Sequence, residues 1–215
     1  MSHQKKGFFI TFEGPEGAGK SSQIKLLYKY LSGRGADCVC TREPGGTPLA
    51  EKLREIVKSY HGAEDIHAKT ELLLMEAARV QHVIEVIKPA VDSGKIVLCD
   101  RFYDSTIAYQ GAARGLDMAK IDDLNDFAVG QYRPDLTILL DLPVECGFER
   151  AEKRQETMGC VDRFEDAGTE FHRRVRQAFL DIAAKEPKRV KVVNAADTQQ
   201  SIAATIREYV DALVR

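Results

Sequence analysis

Residues 14–21 read Gly14-Pro15-Glu16-Gly17-Ala18-Gly19-Lys20-Ser21, a glycine-rich run closed by a lysine and a hydroxyl. The run fits G-x-x-x-x-G-K-[ST] at every fixed position, the pattern of a P-loop. Its spacing has a chemical purpose. Small residues let successive backbone N–H groups turn inward round an anion, and a helix starting just after them aims its positive end at the same point. Lys20 then reaches the β- and γ-phosphates of a nucleoside triphosphate, Ser21 is placed to ligate Mg²⁺, and Ser22 follows at the helix start. A chance glycine turn of this form arises in roughly one chain in a hundred of this length. Here an apolar run precedes the loop and a helical stripe follows it, which is the context the motif requires. Ile96-Val97-Leu98-Cys99-Asp100 adds a buried strand ending in an acid, the usual layout for a carboxylate that holds Mg²⁺ beside such a loop.

These groups need a scaffold, and the chain has the pattern for one. Short apolar runs at 8–12, 38–42, 96–100, 136–141 and 190–194 alternate with longer stretches of helical period. That order predicts an α/β protein: a P-loop NTPase three-layer fold with a five-stranded parallel sheet flanked by helices. The runs are nearly continuous, as expected for strands covered on both faces. Four helical stripes are expected to be core. They are Ile24, Leu27 and Leu31; Leu49, Leu53, Ile56 and Val57; Leu73, Ala77, Val80, Ile84 and Ile87; and Ile202, Ile206, Tyr209, Val210 and Leu213. Pro89 and Gly94 are expected to end the third helix. From 150 to 176 charge outweighs apolar period, which fits a solvated helix hairpin or a mobile flap. There is no internal repeat, and 1–215 reads as a single domain.

Bulk properties exclude several classes. The formal net charge of −2 gives no field to recruit nucleic acid or a membrane surface. No apolar run approaches the roughly 20 residues of a membrane span, and the polar start lacks the core of a signal peptide. The five cysteines are odd in number, and Cys38 and Cys40 alternate along a strand, so they point to opposite faces. This suits a reducing cytoplasm better than a disulfide framework. A regulatory GTPase would need a guanine-reading N-K-x-D after a late strand. Neither Leu140-Asp141-Leu142-Pro143 nor Asn194-Ala195-Ala196-Asp197 supplies it. A remodelling ATPase would usually bring a larger chain.

Two further segments suit a second, anionic, base-bearing ligand. One is Asp100-Arg101-Phe102-Tyr103-Asp104-Ser105-Thr106-Ile107-Ala108-Tyr109-Gln110-Gly111, a loop at the carboxyl end of a strand, where open α/β sheets bind ligands. The other is Thr41-Arg42-Glu43-Pro44-Gly45-Gly46-Thr47-Pro48. With E-x-L-L-M-x-A-A-R over 71–79 and P-D-L-T-I-L-L-D over 134–141, these segments resemble thymidylate kinases of the bacterial type, in order and across essentially the whole chain.

The resemblance implies a reaction, ATP + dTMP = ADP + dTDP, with Mg²⁺, as a step in dTTP synthesis. It also implies a homodimer and a lid at about 150–166. By the same resemblance Arg101 grips the acceptor phosphate and Arg79 hydrogen-bonds the pyrimidine. Ser105, Thr106 and Gln110 line the base pocket, and Tyr109 sits against the sugar edge and disfavours a 2′-hydroxyl. Glu13 serves the sugar 3′-hydroxyl or the metal's water shell, and Pro44, Leu53 and Arg54 form the floor and side of the cleft. Arg150, Arg154 and Arg163 act with Lys20 and Arg101 on the transferring phosphoryl. The family usually has a Phe where this chain has Met75; a thioether can still cover a base face, with less geometric definition. Kinases for another nucleoside monophosphate or for a deoxynucleoside, the latter with Glu13 as base, stay open alternatives. So does a nucleotide-binding switch without turnover.

Overall fold

The computed structural model describes residues 7–60, 62–150 and 168–214. Its strands are β1 (Phe8–Glu13), β2 (Cys38–Arg42), β3 (Ile96–Asp100), β4 (Leu136–Asp141) and β5 (Val190–Asn194). They form one parallel sheet in the order β2-β3-β1-β4-β5. Parallel neighbours need long crossovers, and helices supply them. In chain order these are α1 (Lys20–Ser32), α2 (Pro48–Ser59), α3 (Ala68–His82), α4 (Lys88–Asp92), α5 (Tyr103–Thr106), α6 (Met118–Val129), α7 (helical over 144–150), α8 (Thr169–Lys185) and α9 (Gln199–Val214).

Strand alternation builds two core layers. Ile10 and Phe12 of β1 join Leu98, Ile138 and Leu140 beneath α1 and α9. Phe9 faces the other way and meets Phe102 edge-on at 4.9 Å between ring centroids. Leu139 packs on that side too, against Val175 and Phe179 of α8. All five expected strands form, β1 running one residue further, to Glu13. β2 differs from the expectation of cover on both faces: it has a single neighbour, β3, and Cys40 is exposed.

The third helix departs further from its expected course. Pro89 does not end it. A π-helical turn, Val83–Ile87, lets Lys88 N–H bond Val83 O, and α4 continues with Pro89 in its first turn. The widened turn accommodates a ring that would clash in a regular helix. Of the expected stripe Ile87 is fully buried, but the rest does not form the buried face. Leu73 and Ile84 are 57% and 56% exposed, while Glu71, Glu76, Arg79 and His82 point inward. In α2 only Val57 of the expected stripe is buried, and Leu49 and Ile56 are exposed. The segment after β3, expected as a loop, is helical: α5 runs into a second π-helical stretch, Ile107–Ala113.

The chain leaves β1 for β2 on one side of the sheet and later crosses to β4 on the other. The crevice at the carboxyl ends of β1, β3 and β4 is therefore the switch point where such sheets bind ligands.

Candidate active site

The glycine-rich loop leaves β1 with geometry only glycine permits. Gly14 has φ +132°, and a Cβ there would lie 2.3 Å from Leu140 O. Gly17, at φ +72°, is backed by Gly147 O of α7. Gly19, at φ +88°, caps α1 and faces open space. Lys20 folds over the loop and donates to Gly14 O at 3.0 Å and Pro15 O at 2.9 Å. Burial, reinforced by Arg101, pushes its ammonium down to about 8. The Ser21 hydroxyl donates to Asp100 Oδ2 at 2.6 Å, joining the first turn of α1 to the end of β3. This hard-oxygen pair fits Mg²⁺, which characteristically takes one or two protein oxygens and completes its shell with phosphates and water. Among the described residues no three His, Cys, Asp or Glu gather into a metal cluster.

One residue past β3, Arg101 adopts φ +67°, a left-handed conformation that costs a non-glycine residue about 1 kcal/mol or more. Its surroundings enforce it: Arg101 N–H bonds Phe12 O at 2.9 Å, and the next N–H, of Phe102, bonds Glu13 Oε1 at 2.7 Å. The guanidinium donates to Glu16 Oε1 at 2.6 Å and to the hydroxyls of Ser105 and Tyr109 at 3.1 Å. Burial alone would raise the Glu16 carboxyl, but Arg101 and Lys20 outweigh it and hold the group well below the usual carboxylate range. Glu13 behaves in the opposite way. It is fully buried, with its second oxygen accepting from Ser105 at 2.6 Å, and burial plus nearby Asp104 push it up to about 7.

At the far end of the cleft Arg79 is 4% exposed and engages four of its five N–H donors. Nε meets Glu43 at 2.8 Å, one terminal nitrogen meets Glu76 and Asn125, and the other meets Thr106 at 2.8 Å. Burial opposes its charge, yet Glu76 and Glu43 outweigh that and raise its pKa. Glu43 is held in turn by His82 at 2.9 Å, and His82 by Thr41 at 2.6 Å. The β2–α2 loop is thereby fixed against α3. Arg54 donates to Pro44 O at 2.9 Å, just after the cis Glu43–Pro44 bond. Gln110 is buried and donates to Glu71 at 2.8 Å.

These groups share one cleft of about 730 Å³, ample for a mononucleotide. Around the phosphate loop it is lined by Glu16, Gly17, Gly19, Lys20, Ser21 and Ser22, with Asp100 and Arg101 facing them. At the other end are Pro44, Arg54, Met75, Arg79 and the helical face carrying Ser105, Thr106, Tyr109 and Gln110. Arg150 lines it too, but its guanidinium donates to Ala195 O at 3.1 Å and Gly17 O at 3.4 Å. Five expected residues do not line the cleft. Gly14, Pro15 and Ala18 shape the loop from behind, Leu53 is half-buried on α2, and Glu13 serves the Arg101 turn from inside. Ser105 lies nearer the Arg101 end than its expected place at the base. Arg154 and Arg163, and the expected lid apart from Arg150, lie outside the described residues. Glu43, Glu71, His82 and Asn125 were not expected. In the sequence Glu71 and His82 belong to a polar repeat with Glu76 and Arg79 at helical spacing, Glu43 lies in the 41–48 segment, and Asn125 carries no such signal.

Comparison with known proteins agrees with this geometry. The family model described as thymidylate kinase matches residues 12–206. A thymidylate kinase of Pseudomonas fluorescens is 50% identical over 209 residues, spanning 95% of this chain and 97% of that protein. One from Desulfovibrio desulfuricans is 46% identical over 210 residues, spanning 96% of each. The crystal structure of thymidylate kinase from Ehrlichia chaffeensis superposes with a TM-score of 0.76 at 37% identity, covering 96% of this chain and 99% of that one. A family model that spans 12–206 and relatives at about half identity over nearly the whole chain show that this chain belongs to the thymidylate kinase family.

Proposed function

We propose that this chain transfers the γ-phosphoryl group of ATP to the 5′-phosphate of dTMP, giving ADP and dTDP. The observation that carries the reading is Arg101, a half-buried guanidinium, 14% exposed, in the same cleft as Lys20, between the phosphate loop and the base end. Two polyanions must approach one another, and positioned cations and N–H groups are most of what phosphoryl transfer asks of a protein. The loop amides and Lys20 take the donor. Lys20 exchanges two peptide carbonyls for β- and γ-phosphate oxygens. Arg101 exchanges the Glu16 carboxylate for the acceptor phosphate, so its position is set before the substrate arrives. Ser21 and Asp100 would hold Mg²⁺, which supplies charge neutralisation on the β- and γ-oxygens.

No general base is needed, because a phosphate monoester with a pKa near 6 is already largely dianionic at neutral pH. That also separates this reading from a deoxynucleoside kinase. Glu13 is turned away from the cleft, and Glu16 is held too acidic to take a proton from a hydroxyl. Arg79 and Gln110 are the proposed readers of the base, with Met75 covering its face. Arg154 and Arg163 are proposed to act on the transferring phosphoryl, supported by the family resemblance. A homodimer is proposed through the outer faces of α3, the π-helical turn after it and α6, where Leu73, Ile84 and Phe127 are exposed. No helix among the described residues is long and apolar enough to cross a membrane.

The test is ADP release with Mg-ATP across a panel of nucleoside monophosphates, with thymidine included. Fastest turnover on dTMP, with dTDP as product, is expected. Preference for another monophosphate would overturn the acceptor, and turnover on thymidine alone would overturn the reaction class.

A further inference from the structure

Gln110 is 2% exposed, yet it lines the cleft. Its amide nitrogen donates to Glu71 Oε1 at 2.8 Å. Glu71 is fully buried on the inner face of α3, and its Oε2 also receives Arg114 at 3.2 Å. Arg114 is itself positioned over the Phe171 ring, 5.0 Å from the centroid. A primary amide has two unlike ends, an NH₂ with two donors and a carbonyl acceptor, of nearly the same shape. A carboxylate paired with an arginine only accepts. Glu71 therefore takes the nitrogen end and turns Oε1 the other way. Among the described residues no donor reaches Oε1, and the atom is not sealed from the cleft.

We infer that Glu71 is a positioning residue for base selection: by fixing the Gln110 amide it makes the cleft present an acceptor to the pairing edge of a pyrimidine. The inference rests on the proposal that Gln110 meets the base. Thymine and uracil carry N3–H at the centre of that edge, a donor that Oε1 can accept. Cytosine carries a bare N3 there, and two lone pairs would face each other in a buried site. Free to rotate, the Gln110 amide could serve either base by offering Oε1 to one and its nitrogen to the other. Clamped by Glu71, it serves only the first. Arg79, clamped by Glu43, Glu76, Asn125 and Thr106, keeps one N–H to offer in the same cleft. The pair matches an adjacent carbonyl and N–H and mismatches an adjacent amino group and bare nitrogen. Part of the selection thus resides in a residue whose carboxylate is not turned to the ligand, because Glu71 removes the alternative rotation.

The test compares kcat/KM on dTMP and on deoxycytidine monophosphate for the wild type, Glu71→Gln, Gln110→Leu and the double variant. Glutamine at 71 keeps the shape but can donate as well as accept, so the Gln110 amide is released. The dTMP-to-dCMP ratio is expected to fall on the order of tenfold or more in Glu71→Gln, the size of effect expected from one buried hydrogen bond. With Leu at 110, adding Glu71→Gln is expected to leave the ratio where it was. An equal loss on both substrates, with the ratio unchanged, would mean Glu71 only supports the fold and would overturn the inference. An unchanged ratio in Gln110→Leu alone would instead overturn the proposal that Gln110 reads the base. A second measurement uses the unaltered protein, in case Glu71→Gln does not fold. The Gln110 side-chain NH₂ protons, followed by ¹⁵N NMR, should keep their hydrogen-bonded shift and exchange protection when dTMP binds. Loss of both on binding would show the amide turning, and would equally overturn the inference.

Discussion

Burial moves two groups around Arg101 toward neutrality from opposite sides. Lys20 is pushed down to about 8 by desolvation and by Arg101 itself. Phosphate oxygens favour the charged ammonium, so ATP binding should restore its proton. Above pH 8 nucleotide binding is then expected to take up close to one proton, seen by calorimetry in buffers of different ionisation enthalpy. The same effect should make kcat/KM for ATP fall as pH rises past 8. Lys20→Arg, charged throughout, should lose activity through altered geometry but lose this pH dependence as well. Absence of proton uptake in the wild type would show that the lysine is not perturbed. Glu13 gives the mirror case, pushed up to about 7 mainly by burial. Between about pH 4.5 and 7 the folded protein keeps this proton while the unfolded chain releases it, so stability falls with rising pH across that window. Below the window both states are protonated and above it both are ionised. The unfolding free energy of wild type minus that of Glu13→Gln should therefore decline across the window, by at most about 1.4 kcal/mol per pH unit, and be flat on either side. A flat difference throughout would place Glu13 in contact with water.

Among the elements, the turn between β1 and α1 makes the strongest demand on sequence, and its glycines are not equivalent. At Gly14 a methyl group would meet the β4 backbone at 2.3 Å, in a backbone conformation closed to other residues; at Gly19 it would meet nothing. Gly19→Ala should thus lose only the left-handed preference, about 1–2 kcal/mol, or roughly 3–6 °C in Tm for a chain of this size. Gly14→Ala should lose about 3 kcal/mol or more, with a drop near 10 °C, because the loop and β4 must separate. Thermal melts without nucleotide check this, and equal shifts would mean the loop is not anchored on β4. This turn and all five strands were legible in the sequence because each signal is local: a fixed glycine spacing, and apolar runs of strand length. α3 was not. Leu73, Ala77, Val80, Ile84 and Ile87 form one helical stripe, of which only Ile87 is fully buried, and Glu71, Met75, Arg79 and His82 form another. Binary pattern reading assigns the first to the core. The structure chooses the second because each polar group has a distant partner: Arg79 and His82 meet Glu43, and Glu71 meets Gln110, 36 to 39 residues away. No window on one helix contains that information. The 103–113 segment was misread as a loop for a related reason, since π-helical turns carry no period that a sequence displays.

For the whole molecule, the inverted helix has a consequence on its outer side. With charges inward, α3 turns Leu73 to solvent and the π-helical turn does the same with Ile84, at 57% and 56% exposure, while Phe127 of the neighbouring α6 is 82% exposed. Large exposed apolar side chains on neighbouring elements are the usual mark of an interaction surface. The proposed occupant is a second copy of the chain, which fits the homodimer that the family resemblance implies. Leu73→Glu combined with Phe127→Glu should convert a dimer to a 24.0 kDa monomer in sedimentation at micromolar concentration. The same helix carries Arg79 on its inner side, so loss of the partner should loosen the base end of the cleft more than the phosphate loop. KM for dTMP is expected to rise several-fold, with KM for ATP nearly unchanged. A double variant that stays dimeric would move the interface elsewhere on the surface. A monomer with unaltered dTMP kinetics would keep the interface where it is proposed and show that α3 is held by its buried ion pairs alone.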